Sequence, residues 1–171
     1  MRKSLVLMLA VMMVLGLAGN LLAKDKFEQE VETEASAVKL ARDVKAGGYN
    51  LVTTEELKKW IDEKKDMIII DTMPYEDSYK KGHVPGAKQF LFPIADMNEW
   101  DAKETAGKTK EDFMALLGAD KNKTIVIYCG FTKCTRSHNG AAWAVKLGYT
   151  NVYRQPGGIF AWKGAGYPVE K

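Results

Sequence analysis

The sequence has 171 residues and a formal net charge of +3. Its first 23 residues have the pattern of a removable leader, and the remaining 148 residues, with a net charge of +1, have the length of one ordinary domain. A charge so close to balance gives no basis for a nucleic-acid partner.

Residues 1–23 are predicted to be a secretory signal. A basic start at Arg2 and Lys3 precedes an apolar run over residues 5–17, and Gly16, Gly19 and Asn20 interrupt the second half of the stretch over 5–23. We therefore expect cleavage, and attachment to a membrane only if the leader stays uncleaved. No cysteine precedes Cys129, which excludes a lipoprotein anchor. The prediction is an exported protein, expected in the periplasm, where two cysteines can pair.

Residues 24–48 are polar and charged, with apolar side chains at mostly helical spacing. They are predicted to form a helical N-terminal extension that ends at Gly47 and Gly48. This helix either covers the fold or serves as a handle for a partner. The remaining residues, 49–171, are predicted to form the main domain.

Strands alternate with helices through this domain, which predicts an α/β fold with a parallel sheet covered by helices. Thr53 and Glu56 have the spacing of a capping box, which predicts a helix start between the first two strands. The predicted strands are 49–52, 67–70, 87–92, 124–128 and 151–154. The predicted helices follow Thr53, cover 109–117, begin at Ser137, and include a short C-terminal helix around a buried Trp162.

The strand over 124–128 delivers Cys129 into a loop that then opens a helix. Free backbone N–H groups and the positive end of a helix dipole both favour an anion at such a position. Because this environment stabilises a thiolate, Cys129 is the candidate nucleophile. The loop amides from Gly130 to Arg136 are candidates for an anion cradle.

Three stretches together resemble the rhodanese domain. They are Asp71 followed by GHVPGA at 82–87, the cysteine that ends a central strand, and GGIFAWKGAGYPV at 157–169. The resemblance covers residues 49–171. It implies a central, mainly parallel five-stranded sheet flanked by helices, and transfer of sulfane sulfur through a cysteine persulfide. The implied partners are a small anionic donor such as thiosulfate or a persulfide, a thiol or cyanide acceptor, and an exported redox or sulfur-carrier protein. No cofactor is implied.

On this resemblance Cys129 carries the sulfur, and the following loop binds the donor. The predicted substrate-binding residues are Gly130, Phe131, Thr132, Lys133, Thr135 and Arg136. Positive charge on two of them, Lys133 and Arg136, is expected to attract the donor and lower the pKa of the thiol. A solvated lysine and an arginine in an internal salt bridge are the structural alternatives.

Two departures from the family pattern concern the loop and its surroundings. Arg136 lies seven residues after Cys129, farther than in typical active members, and Cys134 lies between them. The loop resembles the C-G-x-x-K-C-x-R-S sequence of some exported single-domain members. Cys134 is therefore predicted to resolve a persulfide, to form an oxidised pair that needs reduction, or to be a small loop residue. Met73 stands near a position that is usually arginine, which puts local ion pairing in doubt.

The remaining polar motif residues are expected to be structural. This applies to Asp71 at a strand end and His83 before a proline turn, while His138 is predicted to cap the helix or to be exposed. The cysteines and histidines lack the spacing of a zinc site, so no metal is predicted.

Two other function classes are consistent with the sequence. A rhodanese-like module without catalysis could bind a partner through residues 24–48. A dithiol oxidoreductase or a thiol phosphatase (or arsenate reductase) could use Cys129 and Cys134, since related phosphatases also have longer loops. The secretory signal and the second cysteine argue against a phosphatase.

Overall fold

The computed structural model describes residues 25–171, so the predicted leader over 1–23 lies outside the described residues. Ser36–Lys171 forms one compact unit, and the described residues 25–35 belong to another. No helix between residues 25 and 171 has the length and apolar character needed to cross a membrane.

The described part of the chain contains five α-helices and five strands. The helices are α1 (Lys26–Gly47), α2 (Thr54–Asp62), α3 (Lys110–Leu117), α4 (Thr135–Lys146) and α5 (Gly158–Gly164), with a 3-10 helix at Tyr79–Lys81. The strands are β1 (Asn50–Leu51), β2 (Met67–Asp71), β3 (Lys88–Gln89), β4 (Thr124–Tyr128) and β5 (Val152–Gln155).

The five strands form one sheet in the order β1-β5-β4-β2-β3, and every pairing is parallel. This confirms the predicted α/β fold with a five-stranded, mainly parallel sheet flanked by helices. All five residues of β4 are buried, as expected for a central parallel strand with helices on both faces. The carboxyl ends of β2, β4 and β5 therefore meet at one edge of the sheet.

Alternate side chains of β4 face two separate hydrophobic clusters. Ile125 and Ile127 join the cluster of α3, α4 and the aromatic residues after β3, whereas Val126 and Tyr128 join the cluster of α2 and α5. Both clusters hold β4 in place, and the chain leaves this strand at Cys129.

Two capping boxes fix helix starts on either side of the sheet. The Thr53 hydroxyl accepts from Glu56 N while the Glu56 carboxylate accepts from Thr53 N at 2.8 Å, which confirms the predicted start of α2. Thr109 and Asp112 form the same reciprocal pair at α3. Each box satisfies backbone N–H groups that a helix start leaves without partners.

The predicted strand over 87–92 is wrong in its extent, because only Lys88 and Gln89 form β3. Farther along, Phe90 N donates to Asp71 O at 2.9 Å and Phe92 N to Thr72 O at 3.4 Å, so the chain follows β2 irregularly. Both phenylalanine rings are buried in the α3–α4 cluster, so the segment stays against the core although regular pairing ends at Gln89. The strands predicted at 49–52 and 151–154 also differ by one residue at their ends.

Candidate active site

Cys129 follows the last residue of β4 and is almost completely buried, with 1% of its surface exposed. Its carbonyl accepts a hydrogen bond from Ile159 N at 2.8 Å. Ser137 Oγ lies 3.5 Å from Cys129 Sγ and donates to it. The sulfur is therefore fixed by the central strand and reached by one hydroxyl donor.

Cys129 is joined to Cys134 by a disulfide, and the two Cα atoms are 6.6 Å apart. Between them the chain makes a tight turn in which Cys134 N donates to Phe131 O at 3.0 Å. Both cysteines of the sequence are thus in one loop and in one bond. The structure shows this site in its oxidised form.

The prediction that the helix begins at Ser137 is wrong, since α4 begins at Thr135 with Cys134 as its N-cap. The Cys134 side chain makes no capping hydrogen bond. Thr135 and Arg136 therefore contribute N–H groups of a first helical turn rather than of a loop. Such groups have no partner within the helix and lie at the positive end of its dipole.

Four of the loop amides expected to form a cradle have no backbone partner, whereas Cys134 N is bonded to Phe131 O. Within residues 25–171, the N–H groups of Gly130, Phe131, Thr132 and Lys133 donate to no carbonyl. Phe131, Thr132 and Lys133 are exposed, whereas Thr135 and Arg136 are half-buried. The described loop therefore combines unpaired donors with an opening to solvent.

The Arg136 guanidinium donates to the carbonyl of Phe92, which ties α4 to the segment after β3. Burial lowers the pKa of Arg136 from its ordinary value, and Glu104 acts in the opposite direction. The internal salt bridge that was the structural alternative for Arg136 is thus not formed among the described residues, since its guanidinium bonds a carbonyl instead. It stays half-buried beside the loop.

Arg154, which no motif in the sequence singles out, supports the loop from within the protein. The side chain is fully buried and donates from Nη2 to Cys134 O at 2.9 Å and to Thr132 O at 3.1 Å. Its Nε donates to Ser137 Oγ at 2.9 Å. One guanidinium therefore holds two loop carbonyls and the hydroxyl that reaches Cys129.

Asp43 of α1 provides the carboxylate for this arginine, with Arg154 Nη1 3.0 Å from Asp43 Oδ2. Tyr49 OH lies 3.3 Å from the same Nη1. Burial raises the pKa of Asp43, but hydrogen bonds from Lys39 and Arg154 outweigh it, and the pKa lies below its ordinary value. The C-terminal half of α1 is therefore linked to the disulfide loop through one buried ion pair.

His138 differs from its predicted role as a cap or an exposed residue. It is the fourth residue of α4, half-buried, and its Nδ1 lies 2.8 Å from Tyr49 OH. Burial lowers the pKa of His138, with Asp43 acting in the opposite direction. His138 thus joins the network around Arg154 instead of facing the cysteines.

The C-terminal motif packs directly against Cys129. Phe160 N donates to Gly130 O at 3.0 Å, next to the bond from Ile159 to Cys129 O. Gly158 has a positive φ of 61°, and a Cβ there would lie 2.6 Å from Gly130 O. Only glycine fits this close approach without displacing the loop.

Gly158→Ala is expected to destabilise the protein and to displace the disulfide loop. The added methyl would clash with the Cys129 carbonyl, and the positive φ adds about 1 kcal/mol of strain. Urea unfolding should show a clear loss of stability. The matched control is Gly164→Ala, where nothing lies within 4 Å of the added Cβ, and its stability should stay within about 1 kcal/mol of the wild type. Equal effects of the two variants would contradict this packing.

Asp71 and His83 of the first motif make structural contacts. Asp71 accepts from Met73 N at 2.8 Å and from the Tyr128 side chain, while burial raises its pKa. Tyr128 OH accepts from Val84 N at 3.0 Å, and His83 bridges to Glu170 through backbone hydrogen bonds.

Met73, which follows the first motif residue Asp71, lies against the loop. A Cβ at Gly130 would be 3.6 Å from Met73 Cε. No three His, Cys, Asp or Glu side chains of residues 25–171 are grouped so as to hold a metal ion.

A family model described as the rhodanese-like domain matches residues 53–165. The chain belongs to the rhodanese-like family. The curated rhodanese-like domain-containing protein 14, chloroplastic, of Arabidopsis thaliana is 29% identical over 136 residues, which cover 64% of this chain. This chain spans 60% of the length of that relative.

Solved structures show the same fold at low sequence identity. A thiosulfate sulfurtransferase from Pseudomonas aeruginosa has a TM-score of 0.58 at 20% identity, covering 79% of this chain and 22% of that one. A rhodanese-like domain from Anabaena has a TM-score of 0.51 at 20% identity, and the match covers 70% of this chain and 77% of that one. A protein from Rhodopseudomonas palustris, described as of unknown function and a possible tyrosine phosphatase, has a TM-score of 0.53 at 20% identity. The match covers 79% of this chain and 93% of that one. The fold of this chain is thus shared by proteins that are described in different ways, so the likeness to solved structures shows the fold alone.

Proposed function

We propose that this rhodanese-like domain is a sulfurtransferase that carries sulfane sulfur on Cys129. The observation that carries the proposal is the position of this sulfur, at the end of the central strand and under a loop with unpaired amides. The start of α4 and the Ser137 hydroxyl add to the stabilisation of a thiolate. Of these groups, the Ser137 hydroxyl contacts the Cys129 sulfur directly, at 3.5 Å.

In the proposed reaction the Cys129 thiolate attacks the outer sulfur of thiosulfate. The sulfur–sulfur bond of thiosulfate breaks, sulfite leaves with the bonding electrons, and a persulfide remains on Cys129. A thiolate or cyanide then attacks the outer persulfide sulfur and forms a bond to it. The bond from this sulfur to Cys129 Sγ breaks, and the Cys129 thiolate is regenerated. A low-molecular-weight persulfide enters the same cycle with its thiolate as the leaving group.

The loop supplies the groups that hold the donor. Backbone N–H groups of Gly130 to Lys133 and of Thr135 and Arg136 form the cradle for the terminal sulfur and the sulfonate oxygens. The charges of Lys133 and Arg136 attract the anion. Phe131 and Thr132, both exposed, form the entrance.

The disulfide must be reduced before this chemistry can start, because the nucleophile is otherwise blocked. We propose that residues 1–23 direct export to the periplasm and that 24–48 form an extension of the domain. The oxidised loop agrees with such a compartment. An exported redox or sulfur-carrier protein is the proposed macromolecular partner.

The proposal is tested by following thiocyanate formation from thiosulfate and cyanide. Protein reduced and freed of reductant without air is expected to turn over, whereas protein with the intact disulfide is expected to be inactive. Absence of turnover and of sulfite release by reduced protein would contradict the sulfurtransferase and favour a binding module. Aryl phosphate hydrolysis that is lost in Cys129→Ser would favour a thiol phosphatase.

A further inference from the structure

We propose that Cys134 resolves the persulfide on Cys129, forming the observed disulfide and releasing hydrosulfide. This inference rests on the proposed function, since it needs a persulfide on Cys129. It adds a second activity, in which sulfane sulfur is reduced and released rather than handed to an acceptor. The disulfide in the structure is then the product of the chemistry.

Separate parts of the fold hold the two cysteines in position to react. Cys129 is fixed at the end of β4 by Ile159 N, whereas Cys134 is held by Arg154 Nη2 on its carbonyl. Their Cα distance of 6.6 Å lies within the range that a disulfide spans. Because both backbones are anchored, little ordering is needed for the two sulfurs to meet.

The surroundings of Cys134 favour its reactive form. As the N-cap of α4, Cys134 lies at the positive end of a 12-residue helix. The guanidinium of Arg154 contacts its carbonyl, and Arg136 lies two residues farther along the helix. The position at the helix start is the feature that favours the thiolate over the thiol.

Access to the site also favours the internal thiol. Cys129 is 1% exposed and Cys134 is 8% exposed, so an external acceptor has to pass the exposed loop residues to reach the buried sulfur of Cys129. Cys134 is already inside the loop. An attacking group held at the reaction site competes at a high effective concentration with one that must diffuse in.

In the proposed step the Cys134 thiolate attacks the inner sulfur, Cys129 Sγ. The bond between the two cysteine sulfurs forms, and the bond from Cys129 Sγ to the outer sulfur breaks. The outer sulfur leaves with the electron pair as hydrosulfide and takes the proton that Cys134 gave up. The sulfane sulfur is reduced and the two cysteines are oxidised, so no external oxidant enters. A dithiol then reduces the disulfide by thiol–disulfide exchange and completes the cycle.

The test uses the full chain, reduced and freed of reductant without air, and one equivalent of thiosulfate with no acceptor. Intact mass, released sulfite and released hydrosulfide are measured for wild type, Cys134→Ser and Cys129→Ser. Wild type should release sulfite and hydrosulfide in equal amounts and lose the mass of two hydrogens. Cys134→Ser should release sulfite only and keep one added sulfur atom. Cys129→Ser should gain no sulfur.

The outcomes separate this inference from the proposed function. If wild type and Cys134→Ser both keep the added sulfur and release no hydrosulfide, Cys134 does not resolve the persulfide, while the sulfurtransferase stands. If added sulfur moves to Cys134 in wild type, attack occurs at the outer sulfur and the inference is overturned. If neither protein gains sulfur nor releases sulfite, the proposed function fails and the inference fails with it.

Discussion

Replacement of Cys129 by serine is expected to abolish thiocyanate formation from thiosulfate and cyanide, lowering the rate by at least about a thousandfold. The serine hydroxyl does not ionise near neutral pH, and neither the start of α4 nor Ser137 can make it a comparable nucleophile. The measurement is the rate of thiocyanate formation by protein that has been reduced first.

The matched control is Cys134→Ser, which also removes one thiol and the disulfide but leaves the proposed nucleophile. It is expected to retain sulfite release in the first turnover. Urea unfolding of both reduced variants shows whether they fold alike. Activity that survives in Cys129→Ser but is lost in Cys134→Ser would reverse the assigned roles.

Asp43→Ala is expected to lower the free energy of unfolding by about 3–5 kcal/mol, because it leaves a buried arginine without its carboxylate. Arg154 is fully buried and Asp43 retains 14% side-chain exposure. Loss of the anchor should also loosen the loop carbonyls that Arg154 holds, and sulfite release should slow. Urea unfolding and single-turnover sulfite release measure the two effects.

An exposed ion pair on α2 provides the control for this substitution. Lys58 and Asp62 lie 2.6 Å apart, but Asp62 is 59% exposed, so Asp62→Ala should change stability by at most about 1 kcal/mol. Comparable losses of unfolding free energy in both variants would show that burial does not increase the contribution of the Arg154 pair to stability.

The contribution of Asp43 to the free energy of unfolding should also depend on pH. Its folded pKa lies below the ordinary value of 3.8, so the stabilisation is complete above that pH and disappears as the pH falls through the folded pKa. The stability difference between wild type and Asp43→Ala should therefore narrow below pH 3.8. A difference that stays constant there would contradict the assigned ion pair.

Much of the fold could be predicted because its signals are local. The apolar runs of β2 and β4, the capping box at Thr53 and the three rhodanese stretches each lie within a few neighbouring residues. Their order along the chain then limits the topology to a parallel sheet with helices between the strands. The apolar run over 87–92 predicts a longer edge strand than the structure has, because its side chains are buried in the core like those of a strand, while only Lys88 and Gln89 pair regularly with β2.

The support beneath the loop could not be predicted in the same way. Arg154 and Asp43 are 111 residues apart, and no local pattern connects them. One signal was present: β5 belongs to the sheet interior, where an arginine is rare unless it is paired. That signal indicates a buried partner but does not say which carboxylate provides it.

The start of α4 was placed too late for a related reason. Ser137 is a conventional capping residue, whereas cysteine rarely caps a helix. The hydrogen bond from Arg154 to Cys134 O and the disulfide hold this helix start instead, and both depend on tertiary structure. The corrected start brings the amides of Thr135 and Arg136 into the first turn of α4, beside Cys134.

The central claim is that Cys129 accepts sulfane sulfur, and the most direct measurement uses reduced Cys134→Ser. This variant is mixed with thiosulfate without an acceptor, and its intact mass and proteolytic fragments are analysed. We predict a gain of one sulfur atom, located on the fragment that contains Cys129 and matched by one equivalent of sulfite. An unchanged mass, or a sulfur atom on any other residue, would contradict the claim.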